Sequence, residues 1–168
     1  MKRAFVVAAA LVLLAACGDD SGSGNGAAIP SGAHAVSGGC GSTALYTGAS
    51  EAWTAQAAGP VDLVQATSHD GNAVAYLFGQ PLRSGEPENP ANKILWVMKE
   101  PRGVSDLVIT GHPLDAAAPT VHQSEAADSS PGEIYPSIVN VPEPGCWAFT
   151  LEWNGNKDTI ELPYTQGS

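Results

Sequence analysis

Basic residues are scarce in this chain, and so are methionine, cysteine and every long apolar run. Seven Lys and Arg stand against seventeen Asp and Glu in 168 residues. Two of the seven, Lys2 and Arg3, lie at the extreme N-terminus. The shortage argues against binding nucleic acid or the head groups of anionic lipids, since both demand basic clusters. The acids are dispersed, so they form no acidic tail and read as solvated surface. No apolar stretch reaches the ~20 residues that a membrane-spanning helix needs. With three cysteines in all, the chain has no Cys-x-x-Cys pair. Nor does it hold a His-x-x-x-His spacing, a Gly-x-Ser-x-Gly elbow or a phosphate loop with a strand before it and a helix after it.

What is present begins with a leader. Lys2-Arg3 precedes an apolar segment from Ala4 to Ala16, which closes on Leu14-Ala15-Ala16-Cys17. A positive start, a short apolar core and small residues before a cysteine are the marks of a bacterial lipoprotein signal peptide. Residues 1–16 are expected to be cleaved, leaving Cys17 to carry the lipid, palmitate included. The expected location is the outer face of the cell membrane, reached through lipid alone, because stable anchoring needs more than one acyl chain. Removing the leader leaves five basic residues and a formal charge near −12 (5 − 17).

Residues 17–39 read as a lipidated, flexible tether, rich in Gly, Ser and Ala and without hydrophobic period. Such a segment has an r.m.s. span of roughly 25 Å. One domain is expected over residues 40–163, and residues 164–168 read as a C-terminal tail. Cys40 and Cys146 remain after lipidation. In an oxidising compartment the pair reads as a disulfide, with a buried thiol or a metal ligand as the alternatives.

The domain reads as strands and turns. Val61–Thr67 and Ala73–Phe78 flank Asp70-Gly71, a strong hairpin signal. A two-residue turn there places Gln65 opposite Tyr76 and Leu63 opposite Phe78. Lys93–Lys99 holds five consecutive apolar residues, the pattern of a strand buried on both faces. Leu107–Thr110 reads as a further strand, with an edge strand near Val121. Asp115 begins at most a marginal helix, stopped by Pro119. Trp147, Phe149, Leu151 and Trp153 alternate with Ala148, Thr150 and Glu152, the period of a half-buried strand. Asn154-Gly155 supplies a type I′ turn, and Asp158–Leu162 returns with Ile160 opposite Phe149 and Leu162 opposite Trp147. That register leaves Asp158 facing Leu151, an apparent conflict.

Seven to nine short strands without a convincing helix predict an all-β fold, an antiparallel β-sandwich of immunoglobulin-like architecture. It is not a standard immunoglobulin domain, because no tyrosine stands two residues before Cys146.

Asn92-Lys93-Ile94-Leu95-Trp96-Val97, Tyr135-Pro136-Ser137 and Val141-Pro142-Glu143-Pro144-Gly145-Cys146-Trp147 resemble segments of a group of uncharacterised secreted lipoproteins of Gram-positive bacteria, especially actinobacteria. The likeness runs from about Cys40 to Leu162. It implies a cell surface without an outer membrane and a β-sandwich domain, and it carries over no catalytic residue.

Chemistry is thinly marked. His34, His69, His112 and His122 are scattered, and only the last three are candidates for a shared metal site with an acid. No catalytic set, metal centre or cofactor is expected. The four tryptophans divide. Trp96 and Trp147 belong to the core, whereas Trp53 and Trp153, outside or at the end of a strand, are the candidates for an exposed aromatic platform. The expected function is therefore a non-catalytic binding or interaction module of the envelope. Its membrane partner is reached through Cys17, and its ligand is an envelope glycan or a protein. A metal-binding envelope protein and a hydrolase with an unrecognised site are the alternatives. Three histidines brought together would favour the first, and a Ser/His/acid set in a cleft the second.

Overall fold

A computed structural model describes residues 28–58, 62–87 and 89–167. Cys17 and the leader lie outside them. Eleven strands follow one another: β1 (Ala33–Cys40), β2 (Thr43–Gly48), β3 (Val64–Thr67), β4 (Ala73–Leu77), β5 (Leu82–Ser84), β6 (Lys93–Met98), β7 (Leu107–Pro113), β8 (Val121–Glu125), β9 (Ile134–Ile138), β10 (Gly145–Trp153) and β11 (Asn156–Gln166). A five-residue helix, α1 (Thr54–Ala58), lies between β2 and β3. The strands form a six-stranded sheet in the order β1-β2-β3-β4-β6-β9 and a five-stranded sheet in the order β5-β11-β10-β7-β8. The fold is an all-β sandwich. Every strand pair is antiparallel except β5 with β11.

Both hairpins take the register that their turns dictate. Gln65 pairs with Tyr76 and Val64 with Leu77 across the Asp70-Gly71 turn. Phe149 pairs with Ile160 and Trp147 with Leu162 across Asn154-Gly155. Asn154 and Gly155 have φ of 43° and 76°, the left-handed values a type I′ turn requires. In the β6 run, Ile94, Trp96 and Met98 enter the main core while Val97 joins a second cluster on the opposite face. The marginal helix at Asp115 does not form, and β8 takes the edge position expected near Val121.

Both ends of the domain extend beyond the sequence reading. β1 occupies Ala33–Cys40, inside the stretch expected to be tether, and puts His34 in a strand opposite Thr47. Its composition hides it: four of its eight residues are Gly or Ala, and only Cys40 is fully buried. At the other end, Tyr164, Thr165 and Gln166 belong to β11 rather than to a tail. They pair with Leu82, Arg83 and Ser84, within Gln80–Asn92, whose Pro81, Pro87 and Pro90 lead the sequence to be read there as a loop.

The core between the sheets is aromatic. Trp96, Trp147, Phe149 and Tyr135 have no exposed surface, and Trp153 and Tyr164 have 2%. Gly111 pairs with Phe149, and a Cβ there would meet the Phe149 ring at 2.5 Å, so the missing side chain is the space the ring fills. Cys40 and Cys146 are disulfide-bonded, with Cα atoms 5.6 Å apart and a separation of 106 residues. The bridge joins β1 of one sheet to β10 of the other. A closed loop of that order is worth about 4.7 kcal/mol in the chain-entropy model.

The apparent conflict at Asp158 resolves across the sandwich. Asp158 sits on the inner side of β11, 2% exposed, and reaches the β3–β4 turn of the other sheet. Its Oδ2 accepts from Ser68 Oγ (2.6 Å) and the Asn72 N–H (3.0 Å), and its Oδ1 from the Asp70 N–H (3.1 Å) and its neighbour Thr159 (2.7 Å). A buried carboxylate is tolerable when its oxygens are saturated by donors in this way. It fixes the turn whose ends carry the site described next.

Candidate functional site

The polar side chains that the fold brings together lie on the other face of β11. Glu161 Oε2 accepts from Thr43 Oγ1 at 2.6 Å, from Ser42 Oγ at 3.2 Å and from His69 Nε2 at 2.7 Å. Ser42 Oγ is also 2.9 Å from His69 Nε2, and Thr159 Oγ1 is 3.1 Å from His69 Nδ1. Burial alone would push the Glu161 carboxyl up. The hydrogen bonds from Thr43, His69 and Ser42, with the charge on His69, outweigh it and hold the group below the ordinary carboxylate value.

This is a serine, a histidine and an acid in mutual contact, but the proton order is wrong for nucleophilic hydrolysis. An ionised carboxylate only accepts, so the His69 nitrogen facing Glu161 carries a proton. Ser42 faces that same nitrogen. In a working triad the acid holds one ring nitrogen and the other, unprotonated, takes the serine proton. Here the second nitrogen faces Thr159, and the Ser42 hydroxyl points its proton to Glu161 directly.

The backbone shows what the cluster does instead. β5 pairs with β11 only at its C-terminal end, leaving the edge earlier in β11 without a strand. There the Glu161 N–H donates to Thr43 Oγ1 (3.0 Å), and the Thr159 carbonyl accepts the His69 N–H (2.8 Å). The first residue of β2 and a residue of the β3–β4 turn thus close the open edge of the five-stranded sheet, beside the Cys40–Cys146 bridge. A Cβ on Gly41, where φ is +57°, would press on the Glu161 side chain at 3.0 Å. The seam escapes sequence reading because its members lie as much as 119 residues apart.

The remaining histidines stay separate. His112 Nδ1 lies near the carbonyls of Pro113 and Ala116, and His122 Nδ1 near Thr110 Oγ1. Among the described residues no three His, Cys, Asp or Glu come together to hold a metal.

The tryptophans separate by their indole N–H groups. Trp96 donates to Ser137 Oγ (2.8 Å), Trp147 to the Glu143 carbonyl (3.1 Å) and Trp153 to the Glu100 carbonyl (3.2 Å). Trp96 and Trp147 are core residues, as expected. Trp153 corrects the expectation of exposure. It shares the parity of Trp147, Phe149 and Leu151, so it faces inward although it adjoins a turn, and the 100–106 loop covers it. A broad depression of about 700 Å³ runs along Val104, Asp106 and the Asn154-Gly155 turn, but Trp153 offers it almost no surface.

Trp53 differs. It is half-buried, packed with Leu63, Leu95 and Ile134 against Val74, Tyr76 and Val97 on the outer face of the six-stranded sheet. The turn of chain before α1 holds it there. Thr54 Oγ1 accepts from the buried Tyr76 hydroxyl (2.9 Å) and donates to the Glu51 carbonyl (2.7 Å). Its indole N–H has no acceptor among the described residues. With Gln56, Met98, Lys99, Gly132 and Glu133, Trp53 lines a pocket of about 270 Å³.

No family model matches the chain, and no curated protein matches it. Among solved structures the chain is similar to "a putative lipoprotein from Bacillus anthracis", at 17% identity over 63% of this chain and 81% of that one, with a TM-score of 0.42. The resemblance to actinobacterial lipoproteins therefore rests on the sequence motifs.

Proposed function

We propose that this protein is a lipid-anchored, non-catalytic binding module at the outer face of the cell membrane, with its ligand seat at Trp53. The observation that carries the seat is the Trp53 indole N–H, which has no acceptor among the described residues. Three tryptophans bury their donors on acceptors, while the fourth lines a pocket. No buried side-chain donor is left unpaired among the described residues, so the Trp53 N–H faces solvent, where a ligand can reach it. The anchor rests on Lys2-Arg3, the apolar run and Cys17. No helix among the described residues is long and apolar enough to span a membrane.

Two experiments test the two halves. Cys17→Ser should abolish incorporation of labelled fatty acid and move the protein to the aqueous phase of a detergent partition. An unchanged partition would remove the anchor. For the seat, envelope glycans and peptides are screened by tryptophan fluorescence. A ligand that binds Trp53→Ala with wild-type affinity would place the seat elsewhere.

A further inference from the structure

The cations of the described chain divide as unevenly as its tryptophans. Arg83 donates to the Gln166 carbonyl at 3.2 Å. Arg102 donates to the carbonyls of Ile134 and Ser130 and lies 5.3 Å from the Tyr135 ring centroid. Lys157 pairs with Glu152 at 3.2 Å, and Lys93 sits 4.7 Å over the Phe78 ring. Among the described residues Lys99 alone has no such partner. Of these five only Lys157 meets a carboxylate, so what sets Lys99 apart is an exposed ammonium that engages no described side chain or carbonyl. Lys99 lines the Trp53 pocket. Its backbone N–H is fixed on the Asn72 carbonyl (2.9 Å), directly after β6, so the side chain starts from a rigid point.

The rest of the lining sets the shape of an occupant. Glu133 is held by the Arg102 N–H on Oε2 (2.6 Å), which leaves its other oxygen to accept. Gln56 is exposed, and its amide both donates and accepts. A volume of about 270 Å³ falls just below the ~300–1,000 Å³ typical of drug-sized ligands, room for a single ring. An indole offers a flat apolar surface, an ammonium asks for an anion, and an amide and a carboxylate ask for hydroxyls. A hydrocarbon acid would offer no hydroxyl to the last two.

We propose that the Trp53 pocket selects a sugar acid, one hydroxylated ring that carries a carboxylate. The ring lies against Trp53, the carboxylate meets Lys99, and ring hydroxyls pair with Gln56 and Glu133. This rests on the reading of Trp53 as the ligand seat and adds the class of ligand.

The test uses matched pairs of probes: glucuronate with glucose, galacturonate with galactose, and N-acetylmuramate with N-acetylglucosamine. Each is titrated into the mature protein while the four indole N–H resonances are followed by NMR, with Trp53 assigned through Trp53→Phe. At least one acid should move the Trp53 resonance and bind at least tenfold more tightly than its neutral partner. Lys99→Met should remove that preference, so that acid and neutral partner bind the variant with equal affinity. Raised salt should weaken the acid only, since an exposed ion pair is screened. If acids and neutral sugars move Trp53 with equal affinity, the seat stands and the acid class is wrong. If inorganic phosphate or alanine competes as well as the acid does, the pocket reads charge alone and the sugar acid is overturned. A preference that survives Lys99→Met overturns it too. If none of the six probes moves the Trp53 resonance, the sugar-acid assignment fails, while the seat is judged separately by the glycan and peptide screen.

Discussion

Trp153 and Trp53 start from similar sequence settings and end in opposite states. Each stands beside a turn or in a poorly patterned stretch, and each has polar neighbours. Trp153 is closed: 2% exposed, its indole on the Glu100 carbonyl, its neighbour Asn154 on the Pro101 carbonyl at 2.9 Å. Trp53 is half open, and its donor has no acceptor among the described residues. Closeness to a turn therefore does not decide exposure. Parity within a strand and the loop that lies over the strand's end decide it. Trp153 has both, as the fourth inward residue of β10 under the 100–106 loop. Trp53 belongs to no strand, and its cover is the margin of a second, smaller cluster.

The largest effect that would break this comparison is on stability. Trp153→Ala should destabilise the domain by about 3–5 kcal/mol, the cost of emptying a large buried aromatic site. Urea denaturation of the mature protein with its disulfide intact measures it. A loss below about 1 kcal/mol would mean that the loop lifts off Trp153 in solution and that the two sites are alike.

Next comes the carboxylate that ties the closed region together. Asp158→Ala takes the acceptor from the Asp70 and Asn72 N–H groups in a part-buried turn, while Ser68 Oγ keeps its bonds to Ala73. The expected loss is about 1–3 kcal/mol, because hydrogen bonds to a carboxylate are worth more than neutral ones. Amide exchange should rise first at residues 70–73, in the turn that Asp158 holds. Uniform loss with no local change would show that Asp158 serves the β10–β11 hairpin and not the contact between sheets.

These two residues also show how much of the fold was legible. The β10–β11 hairpin could be read residue by residue, register and turn included, since alternation and Asn-Gly are local signals. The β3–β4 register was legible for the same reason. The meaning of Asp158 was not, because its partners lie 86 to 90 residues away and no local rule reaches them. β1 escaped because its small residues carry no period, and β5 because it borrows its order from β11. Of the candidate site, Trp53 was legible by default, as a tryptophan that fits no strand. Lys99 was not, since its neighbours come from α1 and the turn before β9.

The seam at Glu161 gives a smaller, pH-dependent effect. A carboxyl held below its ordinary value contributes stability that is complete above the unfolded value, about 4.3, and lost as pH falls through the folded value. Glu161→Gln should cost about 1–2 kcal/mol at pH 7, at the low end for bonds to a charged group because His69 is partly exposed. The gap between wild type and Glu161→Gln should close as pH drops below 4. Parallel stability curves from pH 7 to 3 would contradict the assigned role of the carboxylate. Loss of a hydrolytic activity in that variant, without loss of stability, would revive the hydrolase reading.

The smallest effect on stability, and the most telling, is expected at Trp53. Its half-buried ring should cost only about 1 kcal/mol when replaced by alanine, a fraction of the value for full burial. Fluorescence separates the two tryptophans further. Acrylamide should quench Trp53 readily and the other three poorly, so Trp53→Phe should remove most of the accessible emission while Trp153→Phe removes little. A site kept open for a ligand should carry function at small structural cost, as the stability difference between Trp53→Ala and Trp153→Ala would record. Should Trp53→Ala unfold the domain as Trp153→Ala does, Trp53 is a core residue of the second cluster, and its open donor is an incident of packing rather than the seat of a ligand.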